Sequence, residues 1–189
     1  RFHGYWKDVG TIQSYWEANR ELIKTLPDFN LYEDDWKIYT NTVHQPPQFI
    51  GEHAQVTTSI ISDGCEVYGS VHSSVLGRDV IVEEGAKIKD SIIMANCVIG
   101  KNAVIDTCII DENTVVNEGV QMGLWDNIPN EDKPKIYHTG ITVVGEDTVI
   151  PPGMQIGKNC VIYGATTPEQ YPEGKLPSGQ SIILEEVEL

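Results

Sequence analysis

Ile99-Gly-Lys-Asn-Ala-Val104, Val144-Gly-Glu-Asp-Thr-Val149 and Ile156-Gly-Lys-Asn-Cys-Val161 share one pattern: an aliphatic residue, a glycine, two polar residues, a small residue and a second aliphatic. A unit this short buries nothing alone, so it has meaning only as one side of a stacked, coiled sheet. Outward from these stretches, aliphatic anchors fall at 50, 56, 61, 67, 82, 88, 93, 99, 105, 110 and 116. Steps of six, five and six predict a 17-residue coil with three sides. The expected fold is therefore mainly β: a left-handed parallel β-helix of about six triangular coils. The stretch from Val67 to Val82 is two residues short, so one coil is irregular.

The fourth position of the six-residue sides reads Gly64, Asn96, Asn102, Asn113, Gly119, Asp147, Gly153 and Asn159. These residue types tolerate positive φ, which predicts left-handed corners. In the five-residue sides the same column reads Ser59, Ser91 and Cys108, so one corner is expected to use a different, tighter turn. A helical reading fails, because Gly and β-branched residues recur too often. The fifth position holds Cys65, Cys97 and Cys160 beside Ala54, Val71, Ala86, Ala103, Thr114 and Thr148. Cysteine there acts as a small inward hydrophobe. The four cysteines have no CxxC spacing, which argues against zinc, and free thiols suit a reducing cytoplasm.

The 189 residues, 40% hydrophobic, allow one domain with an appendage. With 28 acidic against 13 basic side chains the net charge is −15, and no clustered basic face exists to bind nucleic acid or an acidic membrane. No apolar run reaches the length of a membrane span. Before the repeat, Ile12–Leu26 places Ile12, Tyr15, Trp16, Asn19, Leu22, Ile23 and Leu26 on one helical face, with Thr11 as N-cap and Pro27 as stop. Residues 27–49 read as an irregular, aromatic-rich connector packed along a surface. The β-helix unit occupies 50–189, with the rhythm broken by a projecting loop near 123–143. In the tail, Ser181-Ile-Ile-Leu184 is expected to add a final strand. The start at Arg1, straight into an aromatic block, is expected of a piece of a longer protein.

Hexad prisms are familiar from acyltransferases, which use a histidine as general base. The candidates are His53, at a left-handed corner, His72, in the short coil, and His138, in the loop. None has a carboxylate at a recognisable spacing, so each reads as structural or solvated.

The first residues lead elsewhere. Gly4-Tyr-Trp-Lys-Asp-Val-Gly-Thr-Ile-Gln-Ser-Tyr-Trp-Glu-Ala-Asn19 closely resembles a signature of glucose-1-phosphate adenylyltransferases, and Leu31-Tyr-Glu-Asp-Asp-Trp-Lys-Ile-Tyr-Thr40 with Gln45-Pro-Pro-Gln-Phe49 resembles that family's interdomain bridge. The resemblance implies that residues 1–26 end a nucleotidyltransferase catalytic domain and that the β-helix serves regulation and assembly. It also implies adenylyl transfer from ATP to glucose 1-phosphate for glycogen synthesis, with Mg2+ as cofactor. Asp8 matches the family's metal-associated carboxylate, catalytic and metal-binding, although on its own it reads as an Asx turn before the helix. Tyr5 and Trp6 are expected to pack beneath the site. No Gly-rich phosphate loop occurs, so this chain alone is expected to be inactive. Some relatives carry an effector-binding Lys where this chain has Val143-Val-Gly-Glu146, with Lys158 or Lys175 as substitutes for anionic effectors. The family is typically tetrameric. The alternatives are a GDP-mannose-type pyrophosphorylase, a non-catalytic sister subunit and, less favoured, a hexapeptide acyltransferase.

Overall fold

A computed structural model describes residues 3–24, 31 and 44–184. From Phe49 to Ile183 the chain forms short parallel strands in three sheets of six, seven and seven. The first face stacks Phe49–Ile50, Glu66–Val67, Ile81–Val82, Val98–Ile99, Val115–Val116 and Val149–Ile150. The second runs from Gln55–Thr57 through Ser70–His72, Lys87–Lys89, Val104–Asp106, Gln121–Leu124 and Gln155–Gly157 to Lys175–Leu176. The third stacks Ile60–Ile61, Val75–Leu76, Ile92–Ile93, Cys108–Ile110, Thr142–Val144, Val161–Tyr163 and Ser181–Ile183. The prism thus has close to seven coils rather than six, because the tail adds a rung to the second and third faces.

Register follows the hexads. Val98 pairs with Val115 one 17-residue coil on, whereas Glu66 pairs with Ile81 after only 15 residues. The two missing residues come out of the corner after Val67, where only Tyr68 and Gly69 precede the next strand. The aliphatic anchors from Val67 to Val116 point inward and are buried. Each such side chain contributes roughly 1.5–3 kcal/mol by leaving water. The anchors at 56 and 61 are only half-buried and Ile50 is exposed, because they belong to the first coil.

All eight expected corner residues have positive φ, between 54° and 77°. The short corner is left-handed as well, which corrects the expectation of a different turn. Its positive-φ residues are Thr58, Ser73, Asp90 and Thr107, one position before the Ser/Cys column. That column faces inward as a hydroxyl ladder. Ser74 N donates to Ser59 Oγ, Ser91 N to Ser74 Oγ and Cys108 N to Ser91 Oγ, at 3.0–3.1 Å. Ser74 and Ser91 Oγ each donate at 2.7 Å to the carbonyl two residues back. These buried hydroxyls thus satisfy the groups that a longer corner would pair through backbone. His53 departs from the expectation too: it is not in the left-handed column, and its turn closes through Ala54 N donating to Gly51 O.

All four cysteines are buried and unpaired. Burial pushes the Cys97 and Cys160 thiols up to about 11, and raises Cys65 and Cys108 as well. Below the unfolded thiol value of 9.0 both states are protonated and the shift has no effect on stability. Above it the unfolded chain releases protons that the folded chain retains, so stability falls as pH climbs toward the folded value. An aromatic disulfide reagent at pH 8 is expected to modify no cysteine in the native protein and four after unfolding in urea; prompt native labelling would contradict this packing.

The helix α1 spans Ile12–Glu21, shorter than the run to Leu26. Leu22 N and Lys24 N donate three residues back, to Asn19 O and Glu21 O, which tightens and closes the last turn. Thr11 caps the start in a reciprocal box with Ser14. Ile12, Tyr15 and Trp16 pack on Ile92, Ile109 and Ile141, on the outer side of the third face. A polar clamp fixes the register: Trp16 Nε1 donates to Asp90 O at 2.8 Å, and Arg20 reaches Ser73 Oγ and Asp90 Oδ1, both at 2.7 Å. Arg20 also stacks over the Trp16 ring at 4.3 Å. The clamp grips the tight corner at Ser73 and Asp90.

Most of the proposed connector, 27–30 and 32–43, lies outside the described residues. Its end is held at the prism: Gly64 N donates to Pro46 O, and Gln45 Nε2 to Asp79 Oδ2. Among the described residues no helix is long and apolar enough to cross a membrane.

Candidate functional site

Asp8 lies in the extended segment that leads to Thr11, with its side chain exposed. Its Oδ1 accepts the Gly10 N–H at 2.9 Å, so the Asx turn is real. The segment folds back along α1. Tyr5 Oη and Lys7 Nζ both donate to the Glu21 carboxylate, and Lys7 also lies 3.8 Å from Glu17. The Lys7 bond raises that ammonium and lowers the Glu21 carboxyl, and the two shifts agree in direction. Tyr5 is thus tied to the helix, whereas Trp6 is 75% exposed. The expected packing of Trp6 beneath a site is not made by the described residues.

Opposite this segment stands the loop that joins Leu124 to Thr142. A cavity of about 570 Å³ separates them, walled by Val9–Gln13 and Tyr15 on one side and by Lys135, Ile136, His138 and Thr139 on the other. The loop is pinned from behind. Asn130, 1% exposed, donates through Nδ2 to Asn159 O, Gly179 O and Ser181 Oγ at 3.0–3.2 Å. Its Oδ1 accepts from Asp132 N and Lys133 N. Asn159, also buried, accepts Gly140 N on Oδ1 at 2.7 Å and donates to Asn127 Oδ1 and Ile128 O. Two asparagines therefore staple the loop to the corners of the last two coils. Sequence reasoning finds the loop but misses the staple.

The three candidate histidines are not brought together. His53 borders a notch of about 530 Å³ beside the truncated turn at Tyr68–Gly69, with Glu52, Glu84 and Lys87 around it. His72 faces outward on the second face, its Nδ1 2.7 Å from Thr57 Oγ1 and its backbone in register with Lys89. His138 is exposed on the loop. Among the described residues no carboxylate bonds to any of them, so a histidine general base with an orienting acid is not assembled here. Nor do any three His, Cys, Asp or Glu side chains among the described residues gather to hold a metal.

Lys158 sits just before the Asn159 corner, and Lys175 faces outward on the last rung of the second face. Glu146 is exposed beside the Asp147 corner.

Glucose-1-phosphate adenylyltransferases of Acetivibrio thermocellus, Lachnospira eligens and Thermotoga maritima are 51%, 53% and 44% identical to 97%, 96% and 98% of this chain. This chain in turn spans 43–44% of the length of those relatives. A family model described as GlmU-like, C-terminal hexapeptide matches residues 45–144. That span takes in the connector's end and the stacked coils up to Val144, more than half of the sequence, and on that match the chain belongs to the GlmU-like C-terminal hexapeptide family.

Proposed function

We propose that this chain is the C-terminal part of a cytoplasmic enzyme that transfers an adenylyl group from ATP to glucose 1-phosphate, giving ADP-glucose and pyrophosphate for glycogen synthesis. One observation carries the reading: relatives bearing that enzyme name are 44–53% identical over nearly all of this chain, not over the hexads alone. In-line attack of a sugar phosphate on the α-phosphate needs positioning and charge neutralisation more than covalent chemistry. Asp8 is suited to that task as one contributor. A magnesium ion is commonly held by one or two carboxylates together with substrate phosphates and water. Asp8 supplies one such carboxylate, kept in place by Gly10 N–H, and the described residues do not complete a site. When bound, the ion offsets charge on the phosphates.

The β-helix then serves assembly and regulation. Ile81, Val98, Val115 and Val149 line the outward positions of the first face, an apolar stripe suited to the centre of a subunit contact. A tetramer is expected in solution and is checked by sedimentation. Lys158 and Lys175 are the cations offered to an anionic effector.

The reading is tested with the full-length protein, given ATP, GTP or UTP with glucose 1-phosphate or mannose 1-phosphate. ATP with glucose 1-phosphate is expected to lead in kcat/KM by about a hundredfold. Equal or better turnover of GTP with mannose 1-phosphate would replace the reading with the GDP-mannose one.

A further inference from the structure

The extended segment that carries Asp8 turns back along α1 and is pinned at both ends. At one end Thr11 and Ser14 close their reciprocal cap, so the chain enters the helix in a fixed direction. At the other end stands Glu21, in the last turn of α1. Its Oε2 accepts from Tyr5 Oη at 3.0 Å and its Oε1 from Lys7 Nζ at 2.5 Å, so donors on the segment engage both carboxylate oxygens. The reach requires an extended chain. Thr11 and Glu21 stand ten residues apart along the helix, about 15 Å, and the four residues from Lys7 to Thr11 cover about 13 Å when extended. The Lys7 and Glu21 side chains are only 25% and 26% exposed. Glu21 stands on a fixed support, because α1 is held to the prism by Ile12, Tyr15 and Trp16 on the third face and by the Trp16 and Arg20 bonds at Asp90 and Ser73. Asp8 follows Lys7 directly. Its bond from Gly10 N–H lies within the segment, so it shapes the turn without fixing the turn's place on the molecule.

We propose that Glu21 is a positioning residue: through Lys7 and Tyr5 it fixes the segment against α1 and thereby sets where the Asp8 carboxylate stands. This rests on the reading that Asp8 works in adenylyl transfer. A partly exposed ion pair contributes little to global stability, so the role shows in placement rather than in melting temperature. Glu17 supplies the contrast. It stands one turn earlier on α1 and approaches Lys7 only to 3.8 Å, beyond hydrogen-bond reach, while its other oxygen accepts from Gln13 Nε2 at 2.8 Å.

The test uses the full-length protein with ATP and glucose 1-phosphate. Glu21→Ala is expected to lower kcat about tenfold with KM for ATP within twofold, since misplacement of a reacting group acts on turnover more than on binding. Lys7→Met is expected to lower kcat in the same sense, and the double variant to be no slower than Glu21→Ala alone, because both changes remove one tether. Glu17→Ala, which takes the same charge from the same helix, should stay within about twofold of wild type. A second measurement needs no activity. In the 189-residue chain, whose own four cysteines are buried, a nitroxide attached to Val9→Cys sits beside Asp8. Its electron paramagnetic resonance spectrum is expected to sharpen in Glu21→Ala and not in Glu17→Ala. An unchanged kcat or an unchanged spectrum in Glu21→Ala, equal losses in Glu17→Ala, or a double variant slowed by the product of the two singles overturns the proposal. If the full-length wild type transfers no adenylyl group, the reading of Asp8 fails instead, and the spectrum still decides whether Glu21 tethers the segment.

Discussion

Asp8→Ala in the full-length protein is expected to lower turnover by about 10²–10³-fold, the cost typical of removing one group that stabilises transition-state charge. The melting temperature is expected to move by no more than about 3 °C. The local geometry separates the two effects. Asp8 is exposed, and the bond it accepts from Gly10 N–H is a single local contact whose net worth is about 1 kcal/mol. Loss of that bond loosens a turn ahead of a helix that keeps its own Thr11–Ser14 cap. Asp8→Asn decides between turn and charge. The asparagine carbonyl accepts the same N–H but brings no negative charge to a metal. If Asn restores turnover to near wild type, Asp8 is a turn residue; if Asn is as slow as Ala, the carboxylate is needed for its charge. A magnesium titration adds an independent readout, because a lost ligand raises the concentration required for half-maximal rate.

The prism is legible in the sequence because two constraints recur at fixed spacing. Inward positions must be aliphatic to be buried, and corner positions must tolerate positive φ, so Val98–Ile99 and Asn102 declare their places without any partner being known. The short corner is less legible. Thr58, Ser73, Asp90 and Thr107 adopt positive φ without being Gly or Asn, and the hydroxyl ladder behind them makes up the difference. The docking of α1 left a trace that periodicity alone undervalues. Ile92-Ile93, Ile109-Ile110 and Val143-Val144 are doubled aliphatics where alternation calls for a polar outward neighbour, and two of the outward members, Ile92 and Ile109, are buried near the helix. Asn130 left no trace, since it sits in no repeat and the acceptors of its Nδ2 are 29 to 51 residues away. Asp8 is the opposite case: spacing marks it only as a turn residue, and its functional reading comes from resemblance.

Gly69→Ala is expected to cost about 3 kcal/mol, at the upper end for overpacking a well-filled site. The reason is the shortened corner. With two residues missing after Val67, the backbone cuts straight across and lies against the next coil. A Cβ on Gly69 would sit 2.4 Å from Ala86 O and 2.8 Å from Glu83 O. Both are backbone atoms and cannot swing aside. Ala86 O is also the acceptor for Ser70 N at 2.8 Å, so any retreat breaks a rung of the second face. Gly69 itself is not in the left-handed region, and alanine could adopt its backbone angles; close approach alone excludes the side chain. Gly153 supplies the contrasting case. It has φ +69°, but an added Cβ meets nothing within 4 Å, so Gly153→Ala carries only the conformational cost of about 1 kcal/mol. Urea unfolding of the 189-residue chain should therefore rank Gly69→Ala well below Gly153→Ala in midpoint. The reverse order would mean that the coil yields at the truncated Tyr68–Gly69 turn, and that the 15-residue spacing from Glu66 to Ile81 is a slack join rather than a tight one.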